Sequence, residues 1–398
     1  MKILCVNAGS SSLKFQLFEM PEGKVIISGY IEKIGEPDSF WNTKINGEKI
    51  RGEKVITNHT EAVQVLIDEL LKYKVVESMD EIKAVGHRVV HGGEKYSDAV
   101  LIDDQVIQDI KDLTKLAHLH HPGNLAGIEA MKEALPNVPM VAVFDTAFHQ
   151  TMPEENYIYP VPYEWYEKYG VRKYGFHGTS HKYITQRMQE ILGKENINII
   201  NCHIGSGSSI CCIKDGKSID TTMGLTPLDG LMMGTRSGSI DPSTIEYVSK
   251  ESGMDVSEIT NILNKKSGLL GVSQKYADHR DIEKGMEEND HLCVLANDMY
   301  VDRVVNYIAQ YYVKLDGKVD AIVFTAGLGE NAREFREEII NKLGSLGIKI
   351  DHDANMQYAA YCDKQEGIVS PEDSKVPVYV VPTNEELMII LDTYKFVK

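Results

Sequence analysis

No apolar run in these 398 residues approaches the roughly 20 needed to cross a bilayer, which excludes a helical membrane span. The N-terminus lacks a basic region followed by an apolar stretch and a small-residue cleavage site, so no secretory signal is expected. The six cysteines (Cys5, Cys202, Cys211, Cys212, Cys293, Cys362) form no CxxC pair, and most lie in apolar runs. They read as buried thiols in a reducing cytoplasm rather than as disulfides or zinc ligands. Positive charge is scarce: 42 Lys and Arg against 59 Asp and Glu leave a formal net charge of −17. That balance excludes non-specific binding to nucleic acid or to an anionic membrane, because both are polyanions. There is no GxxxxGK(S/T) loop, no GxGxxG after the first strand and no low-complexity segment.

What the chain does contain, it contains twice. Ile3 to Asn7 is an apolar run that breaks into Gly9-Ser10-Ser11-Ser12 and resumes as the alternating Leu13 to Phe18. Ile197 to Cys202 breaks in the same way, through His203-Ile204-Gly205-Ser206-Gly207-Ser208-Ser209, and resumes as Ile210 to Ile213. A turn and a third strand candidate follow each copy. Strand, glycine/serine turn and antiparallel strand make a hairpin whose tip exposes backbone N–H groups and hydroxyls. Two such tips in two related halves predict a cleft that grips one phosphate chain from both sides.

Helix and strand signals alternate throughout, so the fold class is α/β. Ala62 to Tyr73 has the spacing of a helix, and Ile82 to Val90 and Val138 to Phe144 read as strands. Ser180 to Leu192 and Val294 to Leu315 read as helices. Val319 to Thr325 is a strand running into a glycine turn, Gly327-Leu328-Gly329, with a helix from about Arg333. After the strand Val378 to Val381, Thr383 and Glu386 have the spacing of a capping box. Prolines and aromatics break the periodicity from Pro153 to Tyr169, which places a domain boundary near residue 150. The expected division is 1–150, joined by a C-terminal helix over 384–398, and 151–383.

Histidines and arginines gather beside the glycine turns. Arg88 sits in Gly86-His-Arg-Val-Val-His-Gly-Gly93, His177 in Tyr174 to His181 before a helix, and Arg236 in Gly234-Thr-Arg-Ser-Gly-Ser239. Either arginine alone fits a salt bridge as well as an anion site. Together with two hairpin tips they point to a transferring phosphoryl group, whose charge is spread over its equatorial oxygens. Asp145, at the tip of a strand, suits a catalytic or Mg²⁺-proximal carboxylate and equally a turn cap. Glu385 lies where the helix macrodipole alone favours an acid. His118, His120 and His121 lack partners at metal-ligand spacing and read as substrate contacts or satisfied loop histidines. Gly327 to Asn331 could receive a nucleotide at a helix start or be only a turn.

These residues, in this order, resemble the acetate kinase family of the acetate and sugar kinase/heat-shock cognate/actin superfamily. The resemblance runs from Asn7 to the final helix. It rests on Asn7 to Lys14, Gly86 to Gly93, Phe144 to Gln150, Tyr174 to His181, Thr235 to Gly238, Gly327 to Asn331 and Thr383 to Leu387. It implies two duplicated ribonuclease-H-like (actin-like ATPase) domains with a central cleft. It also implies reversible, Mg²⁺-dependent in-line transfer of the ATP γ-phosphoryl group to acetate, giving acetyl phosphate and ADP, with Mn²⁺ as a substitute metal. A cytoplasmic homodimer serving acetyl-CoA biosynthesis is implied as well. On this resemblance Asn7 and Glu385 serve the metal, Lys14 a nucleotide phosphate, and Ser10 and Ser12 the first phosphate tip. Arg88 and Arg236 hold the carboxylate and the phosphoryl in flight, His177 steadies the transition state, and Asp145 is the catalytic acidic residue. His203, Ile204, Gly205, Ser206 and Gly207, then Asp278, His279 and Arg280, then Gly327, Leu328, Gly329, Glu330 and Asn331 match nucleotide-binding segments. Val90, Leu119, Phe176 and Pro227 match the acyl pocket, with His120 at the substrate.

A carboxylate is already a nucleophile near neutral pH, since its pKa is about 4 to 5. No strong base is required, so Asp145 reads as a positioning or electrostatic residue rather than a proton carrier. Four departures from the family pattern stand out: Ser206 and His121 for frequent asparagines, Ser239 for a common aspartate, and His279 for a usual apolar residue. Ser239 is expected to loosen the orientation of Arg236. The alternatives are a propionate or butyrate kinase, since one methylene changes discrimination by only about 1–3 kcal/mol. Pyrophosphate in place of ATP, or an ATP-switched binding protein of the actin and chaperone kind, are the others.

Overall fold

Ile3, Leu4, Cys5 and Val6 are all buried, yet successive strand side chains point to opposite faces. A strand of this kind must be covered on both sides. Leu4 and Val6 join Leu13, Phe15 and Leu17 in a core closed by Ala62, Val63, Leu66 and Leu70 of the His59–Lys72 helix and by Ala130 and Met131 of the His121–Ala134 helix. Ile3 and Cys5 join Phe18, Ala84 and Val141 on the other face, beneath Ile389 and Ile390 of the Glu385–Tyr394 helix. The first unit is therefore built from both parts of the chain, Met1–Gln150 and Asn384–Lys398; Thr151–Thr383 form the second. The computed structural model describes all 398 residues.

The first unit carries strands β1 (Lys2–Ala8), β2 (Ser12–Glu19), β3 (Lys24–Glu32), β4 (Phe40–Ile45), β5 (Glu48–Glu53), β6 (Ile82–Val89), β7 (Val100–Leu101) and β8 (Met140–Phe144). Their order in the sheet is β5-β4-β3-β2-β1-β6-β8-β7. β1, β2 and β3 form an antiparallel meander, while β6 and β8 add parallel to β1. The second unit repeats the scheme with β9 (Ile199–Ile204), β10 (Ser208–Lys214), β11 (Lys217–Thr221), β12 (Ala321–Thr325), β13 (Gly367–Ile368) and β14 (Val378–Val380), in the order β11-β10-β9-β12-β14-β13. Here too an antiparallel meander is followed by two parallel strands. An antiparallel triplet extended by two parallel strands, present twice, is the duplicated ribonuclease-H-like fold.

β9 shows how one strand serves both core and site. Ile200, Cys202 and Ile204 face a core shared with Tyr300, Val304 and Ile308 of the long His291–Lys314 helix. The alternate residues Asn201 and His203 are equally buried but polar, and they meet the Gly178–Leu192 helix.

Two local expectations are corrected. The Gly327-Leu328-Gly329 turn is a short helix, Ala326–Asn331, entered through a left-handed Ala326 (φ 66°). The Glu330 carboxylate folds back and accepts the Ala326 N–H at 2.7 Å, closing the turn of helix. The last helix is capped by Asn384, whose Oδ1 accepts from Leu387 N at 3.0 Å, and not by Thr383. Thr383 lies one residue too early; its hydroxyl bonds Ser180 and its N–H bonds Glu330. Five cysteines are buried, Cys362 is partly exposed, and none is paired in a disulfide. No helix is long and apolar enough to cross a membrane.

Candidate functional site

In the first unit, parallel pairing brings the carboxyl ends of β1, β6 and β8 side by side, and each end supplies a polar residue. These are Asn7 on β1, Arg88 on β6 and Asp145 just after β8. Ligands of open α/β sheets gather at such ends. Asp145 is 1% exposed and takes Arg88 in a two-pronged ion pair, Nη2 on Oδ2 and Nε on Oδ1 at 3.2 Å. Arg88 Nη1 also reaches Asn7 Oδ1 at 3.5 Å. Glu385, the first residue of the last helix, shares this neighbourhood. Burial pushes its carboxyl up to about 7; Arg88 pulls down, while Asp145 and Glu386 push up further. Lys14 pulls down as well, so two acids and two cations surround this buried carboxyl, and a metal cation arriving there would favour its charged form.

The first hairpin tip is clamped from behind. Gly9 N donates to Ser12 O at 2.8 Å, and His59 Nε2 donates to Gly9 O at 2.8 Å. Gly123 lets the His121–Ala134 helix abut the tip, since a Cβ there would lie 2.4 Å from Gly9 O. Asn124, unremarked in the sequence, ties two strand ends together: its Nδ2 donates to Ala8 O at 2.7 Å, and its Oδ1 accepts from Val90 N at 3.2 Å. Lys14 pairs in register with Asn7. Val90 is buried and Leu119 is 52% exposed. His120 is the N-cap residue of the helix without a side-chain cap bond, and His121 turns inward, Nδ1 donating to Ile110 O at 2.8 Å.

In the second unit the β9–β10 tip, Gly205-Ser206-Gly207, is closed by Ser208, whose hydroxyl donates to Gly205 O at 3.0 Å. His177 heads the Gly178–Leu192 helix in the left-handed conformation (φ 54°), which costs an L-residue about 1–2 kcal/mol. Its ring stacks on His203, centroids 4.1 Å apart, and its Nδ1 lies 2.9 Å from Ser209 Oγ. Arg236 donates to Pro227 O at 3.2 Å and has no carboxylate partner; burial pulls its pKa down. An ideal Cβ on Gly207 would lie 3.4 Å from His177 Nε2 and 3.5 Å from Arg236 Nη1, so both groups border the same small space beside the tip. Phe176 is buried next to His177 in sequence. Ser239 does not address Arg236. Its hydroxyl donates to Asp229 Oδ1 at 2.6 Å and accepts from Gly230 N, fixing the turn behind the arginine instead.

A cavity of about 940 Å³ in the same unit is lined by Gly205 and Ser206 of the tip, by Asp278, His279 and Arg280, and by Gly327, Leu328 and Asn331. Of the remaining expected nucleotide residues, Ile204 points into the core. The Glu330 carboxylate is occupied by backbone N–H groups of Ala326 and Thr383. The Gly329 carbonyl accepts from the fully buried Arg336 at 2.9 Å. Asp278 holds Arg280 in a fork (3.0 and 2.6 Å), which lowers its pKa to about 2. Arg333 and Tyr361 also line the cavity and were not singled out from the sequence.

The twice-used topology with a glycine tip in each unit is that of the actin-like ATPase class. The acetokinase family matches residues 2–391. An acetate kinase of Bacillus cytotoxicus is 52% identical over 396 residues, 99% of this chain and 98% of that protein. The crystal structure of Porphyromonas gingivalis acetate kinase superposes with a TM-score of 0.94 at 45% identity, covering all of both chains. A propionate kinase from Francisella tularensis gives 0.93 at 42% identity, covering 99% of each. The chain belongs to the acetokinase family.

Proposed function

We propose that this enzyme transfers the γ-phosphoryl group of ATP to the carboxylate of acetate, reversibly, giving acetyl phosphate and ADP. The observation that carries the reading is Arg236. A part-buried guanidinium with no acidic partner, beside a glycine tip and an imidazole edge, is set out for an anion that arrives from outside. The nucleotide occupies the large cavity of the second unit, its phosphates reaching the Gly205–Gly207 tip. Arg236 and His177 donate to the phosphoryl group as it moves, while Arg88, held by Asp145, receives the acetate carboxylate. Little covalent chemistry is asked of the protein; its task is to align two anions and cancel their repulsion.

Glu385 and Asn7 are the residues that would hold Mg²⁺. No three acidic, histidine or cysteine side chains gather as a metal cage, which suits an ion that keeps water and substrate phosphate among its ligands. When bound, Mg²⁺ (or Mn²⁺ in its place) neutralises phosphate charge. We infer a cytoplasmic homodimer from the family resemblance. Acetate is preferred to propionate in this reading because the relatives near 50% identity are acetate kinases.

Trapping acyl phosphate with hydroxylamine tests this directly, with acetate, propionate and butyrate compared in Mg²⁺-ATP. Acetate should outpace the longer acids, and Arg236→Ala should lose roughly 10³-fold in turnover while melting normally. No hydroxamate with any acid, despite ATP binding, would remove the kinase reading.

A further inference from the structure

We propose that Asn201, His181 and Ser209 form a buried relay that sets which ring nitrogen of His177 carries its proton. The inference rests on the role given above to His177 and extends it to three residues that touch no substrate.

The relay is a matter of counting protons. Asn201 Nδ2 lies 2.8 Å from His181 Nδ1. With the Asn201 carboxamide in this orientation, which leaves its buried Oδ1 without a partner, the amide N–H can only donate, so His181 Nδ1 is the acceptor and the His181 proton resides on Nε2. His181 Nε2 lies 2.8 Å from Ser209 Oγ and therefore donates to it. Ser209 Oγ lies 2.9 Å from His177 Nδ1. The hydroxyl keeps a second lone pair, but its own proton is buried and His177 Nδ1 is the one side-chain acceptor left to it, so the proton goes there and His177 Nδ1 becomes an acceptor. The proton of His177 is thereby placed on Nε2, the nitrogen that borders Gly207 and Arg236. Asn201, His181 and Ser209 are all fully buried, so bulk water does not compete for these bonds. The ring plane is set separately, by the stack on His203. That ring is held in turn by Ser180 at 2.8 Å, itself bonded to Thr383 at 2.8 Å.

The consequence is chemical. With the relay in this sense, His177 offers an N–H to the moving phosphoryl while remaining neutral. In the reverse sense a neutral His177 would aim a lone pair at an anion. Asn201, His181 and Ser209 are thus positioning residues, acting through His177. A two-step orientation of a ring by its outer partners is commonly worth about 10- to 100-fold.

Nitrogen-15 NMR of the whole protein with labelled histidine reads the tautomer without any substitution, the His177 signals being assigned by their loss in His177→Gln. The expected result is His177 protonated at Nε2 with a lone pair at Nδ1. A neutral His177 protonated at Nδ1, as a reversed Asn201 carboxamide would produce, overturns the relay. Ser209→Ala should lower kcat about 10- to 100-fold with both KM values nearly unchanged, and Ser209→Thr, which keeps the hydroxyl, should restore it. Unchanged kcat in Ser209→Ala also overturns it. His177→Ala separates the two ideas. If that variant keeps full kcat, the role of His177 itself is lost. If it collapses while Ser209→Ala does not, that role stands and the relay falls.

Discussion

A methyl group added at Gly207 would lie 3.4 Å from His177 Nε2 and 3.5 Å from Arg236 Nη1, and would meet nothing closer. Both distances are at the edge of ordinary van der Waals contact, so the fold can hold it without displacing backbone. Gly207 is not among the residues with a left-handed backbone, so alanine carries no conformational penalty there. Gly207→Ala should even gain about 0.4–1 kcal/mol from the smaller entropy of the unfolded chain. For units of this size that corresponds to a melting temperature unchanged or raised by up to about 4 °C. Function should move the opposite way. The methyl occupies the space where a phosphoryl oxygen must meet both donors, and a displacement of about 1 Å costs on the order of 10²-fold in rate. That is about 2.7 kcal/mol of transition-state stabilisation. Hydroxylamine trapping at saturating acetate and ATP, beside a thermal melt, reads both signs on one sample. A Gly207→Ala enzyme that melts normally and turns over within a few-fold of the parent would refute the placement of the phosphoryl group between His177 and Arg236.

Arg88→Ala strands the nearly inaccessible Asp145 without its partner, a loss of about 3–5 kcal/mol. Melting should fall by roughly 6–20 °C, and Arg88→Ala/Asp145→Asn should regain much of that without regaining turnover. Glu385, with its pKa near 7, should make Mg²⁺ binding fail on the acid side. As pH falls through 7 the carboxyl takes a proton, so the apparent Mg²⁺ requirement rises up to about tenfold per unit, and Glu385→Gln should abolish that slope. The sign for stability is the reverse: a carboxyl raised above its unfolded value favours folding below the unfolded pKa and loses that contribution as pH rises through 7. Melts without metal should therefore be higher at pH 5.5 than at pH 8 if this group dominates. Tyr361 lines the large cavity and offers an exposed aromatic face. Tyr361→Ala should raise the KM for ATP about tenfold with kcat held, while Tyr361→Phe leaves it unchanged, as steady-state kinetics would show.

The hairpin tips were legible because glycine and serine interrupt two runs whose alternation is otherwise strand-like, and such breaks have few structural alternatives. Arg88 and Arg236 were legible for the same reason, as large cations flanked by glycine. The capping of the last helix was misread because Thr383 and Asn384 are both competent caps. Which one caps depends on what else competes for Thr383, and Ser180 and Glu330 are distant in sequence. The Gly327 segment was misread because a Glu330 side chain folding back to its own helix start is invisible to glycine counting. Ser239 stood out as a departure from the family pattern, but its partner is Asp229, and only the folded turn shows that Arg236 is left alone. Ser209 ends the second tip and His181 ends the Tyr174 motif, but Asn201 carried no signal, and nothing in the sequence joins the three until three elements bring them within 3 Å of one another's partners.

The return of Asn384–Lys398 to the first unit has a consequence for how the protein is made. At about 5–20 residues per second, the ribosome needs on the order of half a minute between Asn7 and Glu385. During that interval the face of the first sheet bearing Ile3, Phe18 and Val141 awaits Ile389 and Ile390, while the second unit already has all of its own strands. The earliest strands of the chain should therefore be the last to settle. A chaperone that shields that sheet face, or a ribosome that stalls before the final helix, would act on yield through this face.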